Sequence, residues 1–302
     1  MKYIFILLLF WCGSSHAFTD KSIHVIFGFQ VGSSHHLIFN TITNNIPNKK
    51  LNFISESKLG LSGALAHQYV AQSKPDGHVL GFTGSSIVIN PFINTNIKYD
   101  ILRDFDPIVY LGKQDNALVV NSVLPFKNVR ELIDYSNKKP KSISYGHNGE
   151  GSSSYITVED LFKNKLLPIP YKGTNFLLID LMSGQIDVAM LNIGAILPHV
   201  TSSKIKVIAT TGTNRSKILN VPTIEETIKV SDSAVWNRPI WYGIVAPKGI
   251  SKETANYLTN YILSGIDEKT INKLEQNGIT VELKNFKEVL AEEHVRWRSY
   301  FK

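Results

Sequence analysis

The chain has 302 residues, 43% hydrophobic and 19% charged, a globular balance that excludes a largely disordered protein. A single cysteine excludes a disulfide scaffold and a cysteine-built zinc site. Lysine and arginine outnumber aspartate and glutamate by 32 to 25, and this net +7 is spread without a basic run, which favours an anionic solute or surface over nucleic acid.

Residues 1–17 read as an export signal. Lys2 supplies the positive start, Tyr3 to Trp11 the apolar stretch, and Ser15-His16-Ala17 the small-x-small cut site, so the mature chain is expected to begin at Phe18 without Cys12. The apolar stretch is shorter than the ~20 residues that cross a bilayer, and no later stretch is long enough. A soluble periplasmic protein is the expectation, in a compartment without ATP for kinase or ATPase chemistry.

Ile23 to Phe29 is rich in β-branched residues and predicts a buried strand, broken at Gly32-Ser33-Ser34. Helical spacing follows over His35 to Ile46, a strand over Leu51 to Ile54, a helix over Ala64 to Ala71, a turn at Pro75-Asp76-Gly77 and a strand over His78 to Thr83. Near residue 115 a second unit begins. It has strands at Ala117 to Val120 and Ser142 to Gly146, a helix capped at Asn128, and a helix over Ser152 to Asn164. Short strands are expected around Ile169, Ile186 to Leu191 and Lys206 to Thr211, with helices near Phe176 to Met182 and Ala195 to Ser202. Ile240 to Val245 is a further strand. Three helices finish the chain, about Lys252 to Gly265, Glu268 to Asn277 and Glu288 to Tyr300, the last capped at Asn285.

Alternating strands and helices with no Ser/Pro/Gly-rich linker predict an α/β protein of two lobes, each a mostly parallel sheet flanked by helices. Lobe 1 is expected to comprise residues 18–115 with 240–302, and lobe 2 residues 116–239. A ligand then belongs in the hinge cleft, at the carboxyl ends of strands.

Two loops match that geometry. Gly146-His147-Asn148-Gly149-Glu150-Gly151-Ser152-Ser153-Ser154 follows a strand and opens a helix, so its amides, hydroxyls and helix dipole suit an anion. A nucleotide-phosphate loop would need a lysine where Ser152 stands. Gln30-Val31-Gly32-Ser33-Ser34 is the same kind of element in the other lobe. Each alone is equally an ordinary strand-to-helix turn. Together they can grip one carboxylate.

Other chemistry is thinly represented. His35 and His36 are adjacent and point ~100° apart on a helix, so they make no metal pair, and neither metal nor cofactor is expected. No G-x-S-x-G elbow occurs. Glu159-Asp160 and Glu292-Glu293 read as solvated helix faces. Tyr171, Trp236, Trp241 and Tyr242 are candidates for a cavity wall, with core packing the commoner fate.

The order of motifs resembles the substrate-binding proteins of tripartite tricarboxylate transporters, the Bug family of extracytoplasmic solute receptors. The residues that carry this run nearly end to end: Leu59 to Gly63, Lys74 to His78, Ile89-Asn90-Pro91, Asp104 to Pro107, Val129 to Ile133, and Tyr145 through Ser154. Pro170-Tyr171-Lys172-Gly173, Asp180 to Asp187, Val221-Pro222-Thr223 and Trp241 to Pro247 complete the set. The resemblance implies a hinged receptor whose two loops hold a ligand carboxylate. Carried over, the binding positions are Phe29, Gln30, Gly32, Ser33, Ser34 and His36 in the first loop, and Asn148, Gly151, Ser152, Ser153 and Ser154 in the second. Thr83, Ser85 and Ser86 match the segment after the third strand, and Tyr171 and Asn192 match positions near the cleft.

The sequence also departs from the family pattern. Gly28 and Gln30 stand where two prolines are usual, and His36 where an aspartate is expected, which replaces a partner for a ligand ammonium by a possible donor to an anion. The stretch between Phe162 and Pro170 is shorter than usual. The implied function is capture of a small organic acid without an amine, a dicarboxylate or an aromatic acid, by a monomer, and its delivery to the permease subunits of a tripartite tricarboxylate transporter. The same fold feeding a sensor kinase is the alternative. A remote one is an α/β hydrolase using Ser152 or Ser153.

Overall fold

The computed structural model describes residues 22–229 and 237–302. The export segment with its cut before Phe18, and Trp236, lie outside the described residues.

The first strand, β1 (Ile23–Phe27), is apolar on both faces, as a strand covered by helices on each side must be. It leads into α1 (Ser34–Asn44), β2 (Phe53–Ser57), α2 (Ala64–Ala71), β3 (Val79–Gly84), α3 (Ser86–Ile93) and β4 (Phe105–Gln114). The chain then enters a second sheet through β5 (Asn116–Asn121), α4 (Val129–Lys138), β6 (Ser144–His147), α5 (Ser153–Leu161), β7 (Leu167–Pro170), α6 (Thr174–Ser183), β8 (Val188–Asn192), α7 (Ile193–Ile196), β9 (Ile205–Thr210) and α8 (Ile224–Thr227). It returns to the first sheet with β10 (Ile240–Pro247), followed by α9 (Lys252–Leu263), α10 (Glu268–Glu275), β11 (Ile279–Thr280) and α11 (Phe286–Tyr300).

The first sheet has six strands in the order β11-β4-β10-β3-β1-β2, and the second has five in the order β7-β6-β8-β5-β9. Each sheet is mixed. β1 pairs in parallel with β2 and β3, and β6 with β7 and β8, whereas β10 runs antiparallel to β3 and β4, and β5 antiparallel to β8 and β9. The antiparallel flanks belong to the strands next to the crossings between sheets, where the chain re-enters from the other unit.

Asp115 alone joins β4 to β5. The returning segment passes close by: Asn237 Oδ1 accepts the Gly212 amide at 3.1 Å, and the neighbouring Thr211 Oγ1 accepts the Asn116 amide at 2.9 Å and lies 3.5 Å from Asp115 Oδ1. Two crossings side by side are what a hinge needs. Burial pushes the Asp115 carboxyl up to about 6, against the pull of Lys113.

Local signals explain the helix starts. Asn128 accepts the Glu131 amide at 3.0 Å, and Glu131 reaches back to the Lys127 amide at 2.8 Å. Ser251, Asp267 and Asn285 cap the last three helices in the same way. One cluster of buried side chains, with Ile38, Phe39, Leu80 and Phe82, fills one face of the first sheet. A second, with Leu177, Leu181, Ala189 and Leu191, fills one face of the other. A third continues from Ile87 and Tyr110 through Leu118 to Tyr145 and Met190, so apolar packing runs from one sheet into the next.

Candidate functional site: a cavity between the two sheets

A cavity of about 940 Å³ opens between the two sheets. Its walls come from the loops after β1, β2, β6, β7 and β8, all at carboxyl ends of strands, and from the end of α3.

The first loop is shaped by a close approach. A side chain on Gly28 would collide with the Cα of Gly63, so the chain can pass here only as glycine. Gly32 adopts φ +89°, and the Ser33 amide donates to the Gln30 carbonyl at 3.1 Å. Ser33 is the N-cap of α1, yet its side chain makes no capping bond; its hydroxyl lies 3.2 Å from His36 Nδ1 instead. The first-turn amides of α1 are thus uncapped and lie beside the cavity wall, with the positive end of the helix dipole behind them.

The opposite wall has a matching feature. α6 starts after Gly173, which carries no capping side chain, and Lys172, Gly173, Thr174 and Asn175 all line the cavity. At the floor, Ser34 and Asn192 approach from opposite sides against the buried hydroxyl of Tyr242, which donates to Gln114 Oε1 at 2.8 Å. Asn148 Oδ1 and Asn192 Oδ1 are buried without a protein partner, and both residues line the cavity. Among the described residues that line it, Lys172 is the one lysine or arginine and Glu150 the one acid, both exposed.

The walls touch across the gap. Ser62 Oγ donates to the Asn148 carbonyl at 3.4 Å, and Ser62 is held on its own side by Asn90 Nδ2, which donates to its carbonyl at 3.2 Å. A side chain on Gly151 would overlap Asn90, one on Gly149 the Ser62 hydroxyl, and one on Gly173 the Gln30 amide. The glycines of the second loop therefore serve lobe-to-lobe approach, and the conformation is closed. Ser62 reaches this position from a turn in which Gly60, Leu61, Ser62 and Gly63 all have positive φ. For Leu61 (φ 48°) and Ser62 (φ 52°) that costs roughly 1–3 kcal/mol each.

Of the positions expected from sequence, Phe29, Gln30, Gly32, Ser33, Ser34, Asn148, Gly151, Tyr171 and Asn192 line this one cavity. The others do not. His36 is buried in its own lobe, stacked on Phe27 with ring centroids 3.9 Å apart, and desolvation lowers its pKa so that it stays neutral; it is not a donor facing the cleft. Thr83 is fully buried and bonded to His67 Nε2 at 2.9 Å. Ser85 and Ser86 are buried, with Ser85 Oγ 3.5 Å from the Trp241 amide. Ser152 is the N-cap of α5: its oxygen accepts the Tyr155 amide at 3.2 Å and donates to the Gly149 carbonyl at 2.7 Å. Ser153 and Ser154 follow inside α5, outside the lining.

The second loop thus spends its hydroxyls on its own helix, and the anion-friendly helix start on that side is α6. Nothing in the local sequence marks Gly173 as uncapped except the absence of a capping residue type before Thr174. Tyr171 lines the cavity with its hydroxyl donated to Asp180 Oδ2 at 2.7 Å; burial and that carboxylate push its pKa up to about 12. Trp241 and Tyr242 take the core fate, Trp241 edge-on to Phe286 and Tyr242 edge-on to His35. Among the described residues, no cluster of three or more His, Cys, Asp or Glu is placed to hold a metal.

Comparison with known proteins places this geometry. The family described as "Tripartite tricarboxylate transporter family receptor" matches residues 39–299. The chain belongs to that family. Members of this family are receptors of a transporter. Among similar proteins, "UPF0065 protein in gbd 5'region" from Cupriavidus necator is 28% identical over 256 residues, 83% of this chain and 76% of that one. The solved periplasmic binding protein BugD shares the fold at a TM-score of 0.84, with 24% identity over 93% of this chain and 96% of that one. So does MatC from Rhodopseudomonas palustris with bound malate, at a TM-score of 0.82 and 22% identity over 93% of this chain and 99% of that one.

Proposed function

We propose that this receptor captures an organic carboxylate in the cavity between its lobes and presents the closed, loaded form to the membrane permease of a tripartite tricarboxylate transporter. It acts as a monomer in the periplasm after export, and it performs no chemistry on its ligand. The observation that carries the reading is the pair of uncapped helix starts, α1 and α6, lining one cavity from opposite sides with Lys172 beside the second. Each start favours an anion by about 0.3–1 kcal/mol, and more where it is partly buried. Main-chain amides and hydroxyls replace the water of the carboxylate without needing a bound cation.

The binding set is Phe29, Gln30, Gly32, Ser33 and Ser34 on lobe 1, residues 18–115 with 240–302, and Asn148, Gly151, Lys172, Thr174 and Asn192 on lobe 2, residues 116–239. Closure follows from contacts that exist only when the lobes meet: Ser62 on Asn148, Asn90 over Gly151, and Gln30 over Gly173. The malate bound to MatC, a protein of the same fold, agrees with a carboxylate as ligand. A hydrolase reading on Ser152 or Ser153 draws no support, because Ser152 is engaged as a helix cap.

The test is a thermal-shift screen of the mature chain against organic acids and their methyl esters. A ligand at a hundred times its Kd stabilises the fold by about 2.7 kcal/mol. Acids that raise the Tm while their esters do not support the reading. Esters that match their acids refute it.

A further inference from the structure

We propose that the ligand is a monocarboxylate with an extended apolar or aromatic body, and not a short polyacid; this rests on the carboxylate reading above. The charge of the walls is the first reason. Each extra carboxylate brought into the cavity loses its hydration and must find a counter-charge or a full set of donors. Among the described residues Lys172, itself exposed, is the only lysine or arginine that lines it, and the exposed Glu150 lines it too.

The second reason is the remaining wall. Leu37, Leu61, Ile93 and Ile97 line the cavity from the first lobe, and Leu178 and Pro198 from the second. A cavity of about 940 Å³ lies near the upper end of ordinary small-molecule sites, and a four-carbon diacid would leave much of it to water against these side chains. An apolar body displaces that water and gains affinity in proportion to the area it covers.

The experiment is calorimetry on the mature chain with butanoate, hexanoate, octanoate, 3-phenylpropanoate, octanol, succinate and citrate. Affinity should rise about fourfold per added methylene from butanoate to octanoate, until the cavity is filled. Succinate and citrate should bind at least ten times more weakly than octanoate. Succinate or citrate binding more tightly than octanoate overturns this inference and leaves the carboxylate reading standing. Octanol binding as well as octanoate overturns the carboxylate reading and the inference together, as does binding of none of the acids.

Leu61→Asn is the variant of choice, because asparagine tolerates the left-handed backbone that Leu61 adopts at φ 48°. It should reduce the octanoate-to-butanoate affinity ratio several-fold with the Tm unchanged. Ile93→Asn is a second probe of the same wall. An unchanged ratio in both variants overturns the apolar wall as the specificity element.

Discussion

Gly151→Ala tests whether the second loop exists for closure. The added methyl would overlap the Asn90 side chain and come within 3.3 Å of Ser62 Cβ. Asn90 cannot simply turn away, since its Nδ2 holds the Ser62 carbonyl at 3.2 Å and the side chain is buried. Overpacking of this kind costs roughly 1–3 kcal/mol. The collision joins Asn90 of one lobe to Gly151 of the other, so opening the lobes relieves it. The whole cost therefore falls on the closed state, and ligand affinity should drop about 5- to 150-fold. The Tm without ligand should move little, because neither lobe's own core is touched. Calorimetry with octanoate reads the affinity, and small-angle scattering reads a larger radius of gyration for the variant. Asn90→Ser should restore binding in the Gly151→Ala background by making room for the methyl. Unchanged affinity in Gly151→Ala, or a double variant as weak as the single one, would refute the latch.

Four further outcomes follow from the same contacts. His36→Asp should unfold the chain in place of altering specificity, since a carboxylate pressed against Phe27 in a buried site costs several kcal/mol; an intact Tm with a new affinity for amines would contradict the buried placement. Burial depresses the His35 pKa to about 3, so between about pH 6.5 and 3 the unfolded chain takes a proton that the folded chain refuses, and stability falls as pH falls through that window. His35→Phe keeps the packing on Phe29 and Tyr242 and should reduce that loss in Tm measured from pH 7 to pH 4, the buried His67, also depressed to about 3, keeping the rest; an equal slope in both proteins would show that His35 does not contribute. Asp115 runs the other way: its folded pKa of about 6 lies above the ordinary 3.8, so its burial erodes stability as pH rises through that interval, and Asp115→Asn should gain in Tm over the parent at pH 7 more than at pH 4. Lys172→Ala should weaken octanoate binding about threefold and reduce its dependence on salt, measured by calorimetry at two ionic strengths; an unaltered salt response would remove Lys172 from the site.

Local pattern carried much of the architecture because local physics decides it. The β-branched run at Ile23–Phe27 has one way to be buried, and Asn128 and Asn285 each satisfy an orphan amide within their own turn. One strand and one helix of the first unit resisted the same reading. β4 carries Pro107 and Gly112 and is held by antiparallel pairing with β10, with register shifts, across more than a hundred residues of chain. α3 is apolar nearly all round and contains Pro91, so it shows no helical period, because it is buried on most sides.

That the first loop lines the cavity was legible for the same local reason: a strand end, a glycine and a helix start lie within one short segment. Which helix faces it was not. Sequence nominates the serines of the second loop, but Ser152 folds back on Gly149 and Tyr155, and the free helix start is at Gly173, brought opposite Gln30 by the packing of the second sheet. The composition, strand order and capping residues of this chain determined two α/β units and the strand-to-helix loops at their strand ends, since those depend on neighbours a few residues apart. Only the tertiary structure decided that His36 turns inward, that Gly149 and Gly151 make room for Ser62 and Asn90, and that leucines and isoleucines from both lobes share the walls of the cavity, because each of these depends on which surfaces meet when two sheets joined at Asp115 close on one another.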